Sequence, residues 1–255
     1  MDGEGPAVTL LHGFSQIGAS WDEIRARLPR GHRYIVPDLP GHGANAAARA
    51  DMEGAGDALI ALWNELGVER SHVIGYSLGG RLALDLATRH PQRLLSLAVI
   101  GAHAGLQDPA LRRQRVEADL ELAGLIRARG MEWFADYWAG LPLFAGQREL
   151  GPTWTARSRS WRLANNAPGL SASLAGMGQG SAPDRWSHLA RIDAPTLIIA
   201  GAQDEIYSAH ARRLAQLIPR ARLALVAGAG HACHLERPEA TARLLEDHLL
   251  HGSTR

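Results

Sequence analysis

The sequence predicts an α/β fold: a mostly parallel, doubly wound sheet with a helical cap insertion. Three observations carry this expectation. Six short runs rich in Val, Ile and Leu are spaced along the chain, stretches with apolar residues at helical spacing separate them, and the alternation stops once, in a long segment without a convincing strand. At 255 residues the chain is long enough for one substantial core, so we expect a single domain with an insertion rather than two modules.

Taken in order, the runs are AVTLL (7–11), YIVPDL (34–39), SHVIGY (71–76), LLSLAVIG (94–101), PTLIIAG (195–201) and ARLALVAG (221–228). Each reads as a strand buried on both faces, as parallel sheets require. Helical spacing covers 51–66, 79–89, 208–218 and 238–250. The break falls between about Ala104 and Leu189, a stretch that holds five of the seven tryptophans: Trp133, Trp138, Trp154, Trp161 and Trp186. The expected division is therefore a core of residues 1–103 and 190–255 with a helical cap at 104–189. Many of those tryptophans should serve packing alone. A cap over the carboxyl ends of the strands would still close a ligand pocket there.

Composition excludes several functions. With 27 basic and 26 acidic residues, a formal net charge of +1 and 46% hydrophobic residues, the chain lacks the basic excess of a nucleic-acid binder. Every basic residue is arginine, so an arginine counts as functional only through its place in a pattern. The single cysteine, Cys233, rules out an intrachain disulfide and reads as an inert thiol. The start, MDGEGPAVTLLHG, has no basic region and too short an apolar run for a signal peptide or membrane span, so a cytoplasmic location without membrane contact is expected. The histidines are scattered, with no HExxH and no paired Cys/His spacing. Neither metal nor cofactor is expected.

The strongest chemical signal is Gly75-Tyr76-Ser77-Leu78-Gly79, a G-x-S-x-G run that ends a strand and opens a helix. Such a strained turn lifts the serine hydroxyl above the sheet, which is the nucleophile elbow of the α/β-hydrolase fold. A hydroxyl needs an imidazole to take its proton and a carboxylate to orient that imidazole. Asp204, just past PTLIIAG, and His231, just past ARLALVAG, occupy the expected places and order. Glu205 and His234 read as neighbours in a second shell or at the surface. Leu11-His12-Gly13-Phe14 follows the first strand, where the Phe14 N–H and the N–H of Leu78 would form an oxyanion hole. His12 is expected to order its loop, and Asp38-Leu39-Pro40-Gly41-His42-Gly43 to be structural.

Longer strings carry a resemblance. GYSLGGRLAL, LHGFSQIGASW (11–21), DLPGHG and AGHACHLERPE (229–239) resemble the MenH-type enzymes, the 2-succinyl-6-hydroxy-2,4-cyclohexadiene-1-carboxylate (SHCHC) synthases of menaquinone biosynthesis. In the expected cap, GLQDPALRRQRVEADLELA looks like that family's first cap helix, with Arg115 four residues before Asp119. WRLANNAPGLSASLAGMGQGSAPDRWSHL resembles its second arginine segment, with Arg162 before Asn165-Asn166. The resemblance implies substrate contacts from Tyr76, Arg81, Arg115, Trp138 and Arg162, and a small substrate carrying three carboxylates, which guanidinium groups suit. The implied reaction is a cofactor-free elimination of pyruvate in which Ser77 acts as base. The chain departs from the family at Ala175 in SLAGMG, commonly an arginine there, and in GQGSAPDRW. The short amino terminus also predicts a sheet without a leading hairpin. Two further readings stay open: a carboxylesterase or C–C bond hydrolase working through an acyl-enzyme, and a ligand receptor, which would tolerate loss of Ser77.

Overall fold

The computed structural model describes residues 5–49 and 51–251. Its six strands are β1 (Ala7–Leu11), β2 (Arg33–Ile35), β3 (Ser71–Tyr76), β4 (Leu94–Ile100), β5 (Thr196–Gly201) and β6 (Ala221–Val226). They form one sheet in the order β2-β1-β3-β4-β5-β6, and every pairing is parallel. From β1 the chain winds outward to β2, then crosses back to β3 and proceeds the other way. The direction thus reverses between β1 and β3, and the crevice at their carboxyl ends is where such sheets bind ligands.

The helices are α1 (Asp22–Arg25), α2 (Met52–Glu65), α3 (Leu78–Arg89), α4 (Pro109–Ala139), α5 (Ala145–Arg148), α6 (Pro152–Leu163), α7 (Ala167–Met177), α8 (Glu205–Leu217), α9 (Cys233–Glu236) and α10 (Pro238–His251). Side chains alternate across the strands with period two. Ala7 and Leu11 therefore join a core with Trp63, Leu82, Leu86 and Leu214 on one face of the sheet. Val8 and Leu10 join Trp21, Ile74 and Leu245 on the other. Helices α4 to α7 all lie between β4 and β5 in sequence, where no strand was expected.

Three expectations need correction. β2 stops at Ile35 instead of Leu39, because Pro37 and Pro40 have no N–H to give a sheet ladder and the chain turns into a loop. β6 is not buried on both faces: as the last strand of the sheet it has half-exposed residues along most of its length. Helix α8 starts at Glu205 rather than 208, since the Asp204 carboxylate accepts the Tyr207 N–H and caps it. β1 lies inside the sheet rather than at its edge.

Helix α4 is capped by Asp108 through the Ala110 N–H, has Pro109 at its first position, and breaks direction at Gly130 (φ 78°, ψ 179°). No neighbouring atom lies within 4 Å of where a Gly130 Cβ would stand. The glycine is there for its backbone, in a region of φ/ψ space that other residues avoid.

Candidate active site

Ser77 sits between β3 and α3 at φ 51°, ψ −106°, a strained conformation for a residue with a side chain. The glycines around it show why the turn needs them. A Cβ on Gly75 would lie 2.3 Å from the Gly79 carbonyl oxygen, one on Gly79 2.2 Å from that of Leu11, and one on Gly80 2.7 Å from the Ala102 side chain. Strand, turn and helix approach too closely for any larger residue.

The structure brings the three sequence-predicted polar groups together. His231 Nδ1 lies 2.8 Å from Asp204 Oδ2, and its Nε2 lies 3.3 Å from Ser77 Oγ. Asp204 uses its other oxygen to cap α8, so the carboxylate is held from both sides. The loop that carries His231 is clamped by Glu236, whose Oε2 accepts the Gly230 N–H at 2.6 Å and whose Oε1 accepts the Ala232 N–H at 3.2 Å. Tyr207 packs its ring 4.3 Å from the His231 ring.

Two neutral histidines order the loop after β1. His12 Nδ1–H donates to the Gly13 carbonyl at 2.9 Å while its Nε2 accepts the Leu39 N–H. His42 Nε2 accepts the Ser15 N–H, and its Nδ1–H donates to the Pro40 carbonyl. Burial lowers His12 to about 4 and His42 to about 3, so neither is a proton carrier at neutral pH. The expected ordering role of His12 and the structural role of the 38–43 loop fit this geometry, for Asp38 also accepts the N–H groups of Gly18 and Ala44. Leu78 is the first residue of α3, so its N–H has no partner within the helix. Phe14 and Leu78 both line the cavity that holds Ser77.

That cavity has a volume of about 300 Å³. It draws on both sides of the α4 bend, with Arg115 before it and Trp138 after it, and Tyr76, Arg81 and Arg162 also face it. Arg81 is 8% exposed; it donates from Nη2 to the Met177 carbonyl, and its Nε has no partner. Arg162 is 7% exposed; it donates from Nη1 to Ser158 Oγ, and its Nε too has none. Burial pulls the pKa of both guanidinium groups down from the usual arginine value. Among the described residues, Arg115 alone of the three is paired with a carboxylate, through Nε to Asp119 Oδ1 at 2.8 Å. The site therefore holds a surplus of positive charge where water is scarce, an arrangement that favours an anion.

Trp138 packs against Phe14, Phe134 and Phe144 to form the apolar wall. Of the other tryptophans in that stretch, Trp186 is buried with its Nε1–H on the Gly105 carbonyl, and Trp161 is buried against Trp154. These serve packing. Glu205 is exposed, whereas His234 is fully buried, its ring 4.3 Å from Tyr76 and its pKa lowered to about 3 by burial. Cys233 is fully buried and its thiol is pushed up to about 12. Among the described residues no cluster of three metal-ligating groups occurs.

Sequence reasoning missed Tyr207, Gln179, Gln147 and Glu236. The first three line the cavity. Tyr207 could have been found one turn into the helix that Asp204 caps, and Glu236 from its spacing after Gly230. Gln147 and Gln179 give no signal in sequence, because only the folding of α4 to α7 brings them to the site.

The chain matches the family described as alpha/beta hydrolase fold over residues 6–238. It is 37% identical over 254 residues to a Bacillus subtilis (strain 168) protein named "Putative 2-succinyl-6-hydroxy-2,4-cyclohexadiene-1-carboxylate synthase", covering 96% of this chain and 92% of that one. It is also 32% identical over 252 residues to a pimeloyl-[acyl-carrier protein] methyl ester esterase of Aromatoleum aromaticum (strain DSM 19018 / LMG 30748 / EbN1), covering 95% and 97% of the two chains. Among solved structures, MenH from S. aureus superposes with a TM-score of 0.94 at 26% identity, covering 100% of this chain and 98% of that one. The chain belongs to the α/β hydrolase fold family and, within it, to the 2-succinyl-6-hydroxy-2,4-cyclohexadiene-1-carboxylate synthases.

Proposed function

We propose that this enzyme eliminates pyruvate from an enolpyruvyl-cyclohexene carboxylate, giving SHCHC, with Ser77, His231 and Asp204 as a catalytic triad and Ser77 as the base. The observation that carries the reading is the joining of one serine–histidine–aspartate chain to three guanidinium groups in a single cavity, two of them without a carboxylate partner. Arg81, Arg115 and Arg162 match the carboxylates of the substrate, and Tyr76 and Trp138 its ring.

In the proposed mechanism His231 Nε2 accepts the Ser77 proton, and the alkoxide removes a proton from the carbon next to the succinyl ketone. The enolate oxygen is held by the N–H groups of Phe14 and Leu78. Its electrons return to form the ring diene and break the C–O bond to enolpyruvate. The leaving group takes the proton held on His231 and tautomerises to pyruvate, so Ser77 and His231 end as they began. Asp204 keeps Nδ1 of His231 protonated and facing away from the serine. No step calls for a metal or an organic cofactor. Residues 104–189 act as the cap that closes this cavity, and the enzyme works on a small dissolved anion in the cytoplasm. No helix among the described residues is long and apolar enough to cross a membrane.

An acyl-enzyme mechanism on an ester would use the same triad and the same N–H groups. The arginines separate the two, since an ester with a neutral acyl chain has no use for two desolvated cations. The test is to incubate purified protein with the enolpyruvyl substrate and follow pyruvate, beside a panel of simple p-nitrophenyl esters. Fast ester turnover without pyruvate release would replace the lyase by the hydrolase.

A further inference from the structure

One polar chain in the cavity wall belongs to neither the triad nor the arginines, and it has a direction. It begins at the backbone. The Gly105 N–H donates to His103 Nδ1 at 3.0 Å, and a backbone amide can only donate. Nδ1 is therefore unprotonated and Nε2 carries the ring proton. Burial lowers the His103 pKa to about 3, which keeps the ring in this neutral form at working pH. His103 is 2% exposed, and its Nε2 has no hydrogen-bond partner; the Gln179 side chain is near enough to raise the ring's pKa against the effect of burial.

A donor at His103 fixes the rest. The Gln179 carboxamide turns its NH₂ toward Tyr207, where Nε2 donates to the phenol oxygen at 3.1 Å, which leaves its oxygen as the atom that can accept the His103 proton. The reverse orientation would set two donors, the NH₂ and Nε2–H, against each other. With its oxygen accepting from Gln179, the Tyr207 hydroxyl keeps its own proton to give. Tyr207 is 6% exposed and lines the cavity beside Ser77, Arg81 and Arg115. Burial raises its pKa, so the hydroxyl stays protonated at neutral pH. Its charged neighbours are the cations Arg81 and Arg115 and the carboxylate of Asp204, which is already engaged by His231 and the Tyr207 N–H. A proton presented among cations finds its partner on an anionic oxygen.

We propose that Tyr207 is a substrate-binding residue that donates a hydrogen bond to a carboxylate held by Arg81 and Arg115, and that His103 and Gln179 are positioning residues that keep its proton aimed into the cavity. This rests on the anionic-substrate reading above and deepens it. A phenol of fixed polarity adds direction that guanidinium groups, with five donors each, do not provide.

The experiment uses Tyr207→Phe, Gln179→Leu and the double variant, with succinate binding followed by titration calorimetry at pH 7. Tyr207→Phe keeps the ring against His231 and removes only the hydroxyl. Each single variant is expected to bind succinate about tenfold or more weakly than wild type, as for a hydrogen bond to a charged group. The double variant should be no weaker than Tyr207→Phe, because the two act as one chain. The KM for the enolpyruvyl substrate should rise by the same factor as the succinate Kd. A Tyr207→Phe protein that binds succinate within twofold of wild type overturns the proposal, as do losses that multiply in the double variant. The ¹⁵N shifts of His103 in the wild-type protein give a readout that needs no variant to fold. They should report protonated Nε2 and bare Nδ1 from pH 5 to 8, and the opposite tautomer would break the chain at its first link. Pyruvate release is measured separately: wild type that binds succinate but releases no pyruvate refutes the lyase reading and leaves the Tyr207 comparison intact. Wild type that releases pyruvate but does not bind succinate refutes the Tyr207 proposal and leaves the lyase reading standing.

Discussion

Arg162→Met should make the free protein more stable and its substrate binding much worse. Arg162 is 7% exposed, has one hydrogen bond, from Nη1 to Ser158 Oγ at 3.0 Å, and leaves Nε without a partner. No carboxylate pairs with it among the described residues. An orphaned buried donor costs about 1–3 kcal/mol, and the lost charge-assisted Ser158 contact returns about 1.5–3 kcal/mol in the other direction, so these two nearly cancel and the desolvated charge decides. Methionine has a similar length and no charge to desolvate, so a net gain of about 1 kcal/mol is expected, in line with other replacements of buried charges by apolar groups. For a chain of this size that is a rise in Tm of about 2–4 °C. Binding goes the other way. Losing a charge-assisted hydrogen bond to a substrate carboxylate costs about 1.5–3 kcal/mol, or roughly 10- to 150-fold in KM. Thermal melts and steady-state kinetics on the same preparation measure both. Arg162→Lys should recover only part of the KM, since an ammonium does not reproduce the planar fork. A methionine variant that melts lower with an unchanged KM would show that the guanidinium is structural and that the anion pocket has been misread.

Ser77→Ala, His231→Ala and Asp204→Asn should each lower turnover by about a thousandfold or more with melting little changed; near-normal turnover of Ser77→Ala would remove the triad. Ser77→Gly should be more stable than Ser77→Ala by about 1 kcal/mol, because glycine relaxes the strained backbone at φ 51°, and equal melting of the two would show that the turn carries no strain. Acid should destabilise the fold earlier than carboxylates alone would. His12, His72 and His248 are lowered to about 4 and His42, His103 and His234 to about 3, so below 6.5 the unfolded chain takes up protons that the folded one refuses. Stability is complete above 6.5 and falls by up to about 1.4 kcal/mol per histidine per pH unit until the folded values are reached; denaturant midpoints that stay flat from pH 6.5 to 4.5 would contradict this. Cys233, fully buried with its thiol pushed up to about 12, should react with a disulfide reagent only in denaturant, and rapid labelling of native protein would show that the loop after His231 opens.

Much of the fold is legible in the sequence because parallel strands buried on both faces leave runs that little else produces, as AVTLL and SHVIGY do. β2 and β6 read less well. Prolines end the first in mid-run, and nothing in ARLALVAG announces that it will be the last strand, with no neighbour beyond it. The serine, aspartate and histidine are legible for a topological reason: each follows a strand end, and strand ends converge. The arginines became visible through resemblance rather than through charge, for in a chain whose basic residues are all arginine composition says nothing about which ones turn inward. Tyr207 was within reach one turn into the helix that Asp204 caps, but the role proposed for it and for Gln179 lies in a donor–acceptor order that runs from Gly105 through His103. That order exists only once three distant segments meet.

The bend at Gly130 has a consequence for how such a pocket is remodelled. In a straight helix every side chain shares one phase, so deleting a residue turns everything beyond it by about 100°. The joint in α4 uncouples its two halves. Both halves line the cavity, one with Arg115 and Asp119 and the other with Trp138, and under the proposed function the first faces the carboxylates and the second the ring. Residues 131–139 are then a cassette: aromatic substitutions there should shift preference among ring systems while leaving the carboxylate requirement as it was.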